Sequence, residues 1–165
     1  MLRLHKNVAT SREKSCPADA HRAQKMIERA AASPLRGVRV LVVEDEPMVS
    51  LALQATLVDF GCDVAGTAAR LQPALDLAHD LTFDIAVLDI DLGGTRIDPV
   101  AEAIAARGLP VVFVTGYGRD AAPRHVPGPV LEKPCEPTDL QRALRQALAA
   151  RHEEPSGGRQ AAARR

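Results

Sequence analysis

A chain of 165 residues accommodates one ordinary domain with tails and leaves no room for two domains of typical size. Its 21 basic residues balance 21 acidic ones, which removes the bulk electrostatic case for a nucleic-acid or membrane-surface partner, so any partner must be recognised locally. Hydrophobic residues make up 46%, yet the aromatics are only Phe60, Phe83, Phe113 and Tyr117, which predicts a globular fold with an aliphatic core.

Cys16, Cys62 and Cys135 are an odd number without metal-ligand spacing, and neither a charged-then-apolar leader nor a membrane-length apolar run is present. A reducing cytoplasm is the expected location. Residues 1–36 mix basic, polar and Ala residues without a strand pattern; a helix over 19–32 would carry Met26 and Ile27 as its only large apolar side chains, and the segment is expected to be a flexible tail.

From residue 37 to 150, short apolar runs alternate with helical patterns: 38–43, 48–60, 63–66, 71–78, 85–88, 100–106, 111–114, 130–131 and 140–149. That alternation predicts an α/β fold, a (βα)5 doubly wound parallel sheet of five strands. Helix boundaries carry their own chemistry: Pro47 precedes the first and Gly61 ends it, Asp98-Pro99 opens the third and Gly108 closes it, and Pro137 opens the last. In that last helix Leu140, Ala143, Leu144, Ala147 and Leu148 form one apolar stripe, with Gln141, Arg142 and Arg145 turned to solvent. Between the fourth and fifth strands, residues 116–129 are so rich in Gly and Pro that one short helical turn at most fits, and this crossover is expected to be the most mobile part of the domain. Residues 151–165, with Pro155, Ser156, Gly157 and Gly158 before an Ala/Arg run, are expected to be a disordered tail.

Parallel strands end at one common edge, and ligands bind outside those carboxyl ends. Glu44, Asp45 and Glu46 follow the first strand, Asp89 and Asp91 the third, Thr115 the fourth, and Lys133 with Pro134 the fifth. Clustered carboxylates repel one another, so Glu44, Asp45 and Asp89 need a cation to stay ionised at neutral pH, and hard oxygen-only ligands point to Mg²⁺. An oxygen of Asp89 is then free to attack a phosphorus, with Lys133 and Thr115 supplying a charge and a hydroxyl to the phosphoryl oxygens. Each residue alone has a blander explanation: Asp45 or Glu46 could favour the start of the helix at Pro47, Thr115-Gly116 could be a strand-to-loop turn, and Lys133-Pro134 a surface lysine before a proline. Asp89 is harder to dismiss, because an acid at the end of a buried strand is desolvated unless something pairs with it. The joint occurrence at successive strand ends is what is specific. The five histidines share no spacing and are expected to be solvated.

The blocks Val40-Leu41-Val42-Val43-Glu44-Asp45-Glu46, Ala86-Val87-Leu88-Asp89, Val114-Thr115-Gly116 and Glu132-Lys133-Pro134 resemble the signature blocks of two-component response-regulator receiver domains, across the whole expected domain. The resemblance implies a flavodoxin-like fold, Mg²⁺ as cofactor, and phosphorylation of Asp89 by a sensor histidine kinase. It makes Glu44 and Asp45 the metal-binding acid pair with Asp89, gives Asp91 a backbone carbonyl to offer the metal, and makes Thr115 the switch hydroxyl and Lys133 the phosphate-pairing lysine. The stretch from Leu109 to Gly118 further resembles a stand-alone subfamily with a Pro-Phe-x-Phe-Ala-Thr-Gly-x-Gly (FATGUY) motif, paired with HWE-type or HisKA2-type kinases, from which Val112 and Val114 depart mildly. Val130 stands where many receivers carry an aromatic switch residue. With no recognisable output region in either tail, the protein is expected to be a phosphoacceptor rather than an enzyme, signalling by protein contact as a relay, a phosphate sink or a target binder. Two alternatives remain open: a haloacid-dehalogenase-like phosphatase using Asp89 and Asp91, and a scaffold receiver that is not phosphorylated.

Overall fold

The computed structural model describes residues 33–153 apart from 117, 119 and 120. The expectations for a helix at 19–32 and for the tails at 1–32 and 154–165 lie outside the described residues. Strand β1 (Arg39–Val43) leads to helix α1 (Pro47–Asp59), β2 (Asp63–Ala68), α2 (Leu71–Asp80), β3 (Ile85–Asp89), α3 (Asp98–Ala106), β4 (Val111–Thr115), β5 (Val130–Glu132) and α4 (Pro137–Glu153). The five strands form one parallel sheet in the order β2-β1-β3-β4-β5.

The fully buried runs of β3 and β4, with no polar residue until Asp89 and Thr115, follow from a sheet covered on both faces. Alternate residues serve opposite faces, as the pleat requires. Leu41, Val43, Ala86, Leu88, Val111 and Phe113 pack with Ala74 and Ala78 of α2 and with Val100, Ala101 and Ile104 of α3. Val40, Val42, Ile85, Val87, Val112 and Val114 pack with Leu53 and Leu57 of α1 and with Leu140, Ala143, Leu144 and Ala147 of α4. The apolar stripe expected on the last helix is thus the one that is buried.

Three differences from the sequence reading have physical causes. Leu35, expected within the tail, is 1% exposed in the second core layer, because the turn at 34–37 folds it under the sheet and Gly37 N–H donates to Gly61 O at 2.8 Å. The last helix continues past 150 to Glu153, since neither Arg151 nor its neighbours carry a breaker before Pro155. Finally, Val126 of the 116–129 crossover, expected to be the most mobile part of the domain, is only 5% exposed and plugs the α2/α3 face.

Gly128 shows why the crossover must be glycine at that point: a Cβ there would lie 2.6 Å from the Val111 carbonyl oxygen and 3.1 Å from Val111 Cγ2. Gly128→Ala is expected to destabilise the domain by about 1–3 kcal/mol, read as a lower urea midpoint at unchanged m-value, because backbone must move to admit the methyl.

Across the lower edge, Asp84 accepts from the Arg39 backbone N–H at 2.9 Å and from Arg39 Nε and Nη2 at 3.2 and 2.9 Å. The Arg39 side-chain hydrogen bonds hold the Asp84 carboxyl below its ordinary value. A depressed carboxylate contributes stability that is present above the unfolded aspartate value of about 3.9 and is lost as pH falls through the lower folded value. Asp84→Asn is therefore expected to lower the urea midpoint near pH 6, with the difference from the parent shrinking below pH 4.

Candidate functional site

Register carries the acidic residues to one place. Val43 pairs with Leu88, so Glu44 and Asp89 leave adjacent strands at the same height; Asp89 is level with Val114, and Thr115 with Glu132. The Lys133 backbone N–H donates to Thr115 O at 2.8 Å, which extends the ladder one residue and sets the lysine at the same edge. Its peptide bond to Pro134 is cis.

Among the described residues, the buried polar or charged side chains are Glu44, Asp89 and Thr115, at 1%, 6% and 0% exposure. All three belong to this edge. Lys133 Nζ donates to Asp89 Oδ2 at 2.7 Å and to Glu44 Oε1 at 2.9 Å, so one ammonium bridges two carboxylates. Asp45 completes the group: one ligand oxygen each from Glu44, Asp45 and Asp89 lie within 4.8 Å of one another. The helix-start explanation for these acids finds little support, since Glu46 at the start of α1 makes no side-chain capping bond and the first turn carries no acid.

Burial pushes the Glu44 carboxyl up and the Asp89 charge adds to it, while the hydrogen bond from Lys133 opposes them. For Lys133, burial alone would favour the neutral amine, but the hydrogen bonds and charges of Asp89 and Glu44 outweigh it and hold the pKa above its ordinary value. With all three carboxyls ionised, three carboxylates against one ammonium would leave two negative charges at the edge. Glu44 Oε2 is buried and lies 2.8 Å from the same Lys133 Nζ, so the ammonium straddles both oxygens of this carboxylate. An all-oxygen donor set with more carboxylates than cations suits a hard divalent cation.

The turn after β3 closes over this group. Asp91 N–H donates to Asp89 Oδ1 at 3.2 Å, while the Asp91 carboxylate accepts from Gly94 N–H at 2.9 Å and so is committed to its own turn. Gly93 adopts φ +62°, and a Cβ on it would sit 3.4 Å from Asp45 Oδ2. The Gly93-Gly94 pair was a readable turn signal; its closeness to Asp45 was not. Cys62 is buried in the core with its thiol pushed up to about 11, chiefly by burial, and is not a nucleophile at neutral pH. His79 and His125 are exposed, as expected of solvated histidines, although His125 Nε2 lies 2.7 Å from Glu102 Oε1.

The response regulator receiver domain family matches residues 40–145. The chain belongs to that family, and with it to a class of signalling proteins. It is 29% identical over 114 residues to the phyllosphere-induced regulator PhyR of Methylorubrum extorquens, a match covering 66% of this chain and 43% of that protein. Among solved structures it is similar to SdrG from Sphingomonas melonis Fr1, with 36% identity, a TM-score of 0.58, and 70% and 97% of the two chains covered. It is also similar to the receiver domain of PhyR from Erythrobacter litoralis, with 29% identity, a TM-score of 0.60, and 69% and 92% covered. The match spans less than half the length of the Methylorubrum relative. The fold is the flavodoxin-like one of receivers, and no helix among the described residues is long and apolar enough to cross a membrane.

Removing the bridging ammonium leaves two buried carboxylates uncompensated. Lys133→Met is expected to cost about 1–3 kcal/mol of unfolding free energy in EDTA at neutral pH, and adding Glu44→Gln to the same chain should recover most of it. Denaturant titrations of the two variants measure both effects.

Proposed function

We propose that this chain is a receiver whose Asp89 accepts a phosphoryl group from a sensor histidine kinase in a Mg²⁺-dependent reaction. The observation that carries this reading is the Lys133 ammonium bridging buried Asp89 and Glu44 at one strand edge, with Asp45 completing an oxygen-only cluster. Glu44, Asp45 and Asp89, with the Asp91 backbone carbonyl, would hold the ion. Bound there, Mg²⁺ supplies charge neutralisation to the carboxylates and to the incoming phosphoryl oxygens.

An Asp89 carboxylate oxygen attacks the phosphorus in line, the P–N bond to the donor imidazole breaks, and the imidazole leaves with the bonding electron pair. Lys133, already charged, pairs with the phosphoryl oxygens, and Thr115 at the end of β4 turns its hydroxyl to the same group. On α1, beside the acid pair, Met48 and Leu51 are 76% and 60% exposed, an apolar surface that a docking kinase would cover. The Leu109 to Gly118 stretch favours a kinase of the HWE or HisKA2 type and a place among stand-alone FATGUY receivers. Phosphorylation then orders residues 116–129 as Thr115 is drawn inward, and the output leaves by protein contact in the cytoplasm. The scaffold alternative is disfavoured by an intact donor set and lysine in contact geometry.

Incubation with a small acyl phosphate and Mg²⁺, followed by intact mass, tests the reading. One phosphoryl adduct is expected in the parent protein and none in Asp89→Asn, with EDTA abolishing the parent's uptake. Rapid multiple turnover without a lasting adduct would instead support a phosphatase, and no adduct in the parent a scaffold.

A further inference from the structure

We propose that Arg96 is the positioning residue that couples the acidic site to the crossover between β4 and β5, an assignment that rests on the phosphoacceptor reading above. The turn between β3 and α3 is a rigid unit. It begins at Asp89 Oδ1, which accepts from Asp91 N–H, and it is held by Leu92 N–H to Thr95 O at 2.8 Å and Thr95 N–H to Leu92 O at 3.3 Å. Asp91 and Arg96 pair as an antiparallel bridge, and Ile97 N–H returns to Ile90 O at 3.1 Å. A displacement at Asp89 is therefore carried to Arg96 through a short hydrogen-bonded loop rather than absorbed along a slack one.

From that turn the guanidinium reaches in two directions. Nε and Nη2 grip the Asp98 carboxylate at 2.8 and 3.3 Å, at the first residue of α3, and Nη2 also donates to Ala121 O at 2.9 Å in the crossover. The planar fork of arginine is what allows one side chain to hold a carboxylate and a carbonyl in fixed geometry. Other attachments of the crossover, Val126 in the apolar face and His125 beside Glu102, fasten it to α3 and its neighbours, whereas Arg96 fastens it to the turn that begins at Asp89.

The need for such a link follows from β5. Val130 is a half-buried aliphatic side chain paired with Phe113, with no ring or hydroxyl to swing between two positions, so β5 offers no aromatic switch at that position. The first half of the crossover runs from Thr115, one residue beyond the partner of Asp89 on β4, to the Arg96 contact at Ala121. Loading Asp89 adds negative charge and acceptor oxygens where Asp91 N–H now donates. The turn shifts, and the Arg96 fork carries the shift to Ala121.

Arg96 is 54% exposed at its side chain, and an exposed ion pair contributes little to folding. Arg96→Met should therefore fold normally and accept phosphate, which separates coupling from stability. Amide exchange of residues 116–129 is measured by mass spectrometry in parent and variant, with and without beryllium trifluoride and Mg²⁺, alongside intact-mass uptake from an acyl phosphate. The parent is expected to change its protection around 121–126 on adding the mimic, and Arg96→Met to lose that change while taking up the phosphoryl group as the parent does. A parent-like change in Arg96→Met, or a phosphorylated parent with no change there, overturns the proposal. A parent that takes up no phosphoryl group overturns the underlying reading and this proposal with it, and the mass measurement tells that case from the others.

Discussion

The pairing of Lys133 with both Glu44 and Asp89 is the contact on which the arrangement of this edge depends. The two carboxylates leave neighbouring strands at the same height and are both buried, so in isolation each would disfavour the other's charge. The cation that reconciles them comes from β5, two strands away from β3 and three from β1. It can arrive only because β4 is carried one residue further than Asp89, and because the Lys133 backbone is tied to Thr115 O before its side chain turns inward. A three-residue edge strand is sufficient for that task. Its role is to place one long, flexible ammonium stem over the ends of its neighbours, and most of its own side-chain surface remains half exposed.

The same constraint explains which parts of the fold were legible in the sequence. Uninterrupted apolar runs ending in Asp89 and Thr115 are unambiguous, because a strand covered on both faces tolerates a polar side chain only where something receives it. Position at the strand end then assigns Glu44, Asp45, Asp89, Thr115 and Lys133 to one edge before any coordinate is known. Leu35 was missed because its burial depends on a turn that tucks the preceding chain beneath β1, a long-range fact without local periodicity. The extension of α4 to Glu153 was missed because Arg and Ala are good helix formers in a composition that otherwise resembles a tail. Arg96 shows locally only an acid two residues on, Asp98; its second partner, the Ala121 carbonyl, comes within reach only in the folded crossover.

Two opposing demands meet in the crossover. A parallel connection must pass over one face of the sheet, and a helix is the usual way to satisfy its backbone while covering apolar surface. Among the described residues of 116–129, Val126 packs on that surface and Gly128 presses against the Val111 carbonyl. Contacts of this kind fasten the described residues at points, and each fastening matters more than in a helix, where every residue is held by its neighbours four positions away.

Charge balance gives the edge a direction of response. With three carboxylates against one ammonium, the fully ionised cluster carries an excess of two negative charges, so the arrangement is short of positive charge as it stands. A divalent cation would balance that excess, after which a phosphoryl group of charge about −1.5 to −2 would restore it. Lys133 is bonded to the carboxylates beforehand and cannot serve the phosphoryl oxygens without loosening its hold on at least one of them. Releasing Glu44 is the less costly choice once a cation lies beside it, because the charge left behind is then compensated. On the proposed reading, loading Asp89 therefore redistributes one existing contact instead of adding an independent one, and the groups that share hydrogen bonds with Asp89, namely Lys133 and the Asp91 N–H, are the first to move.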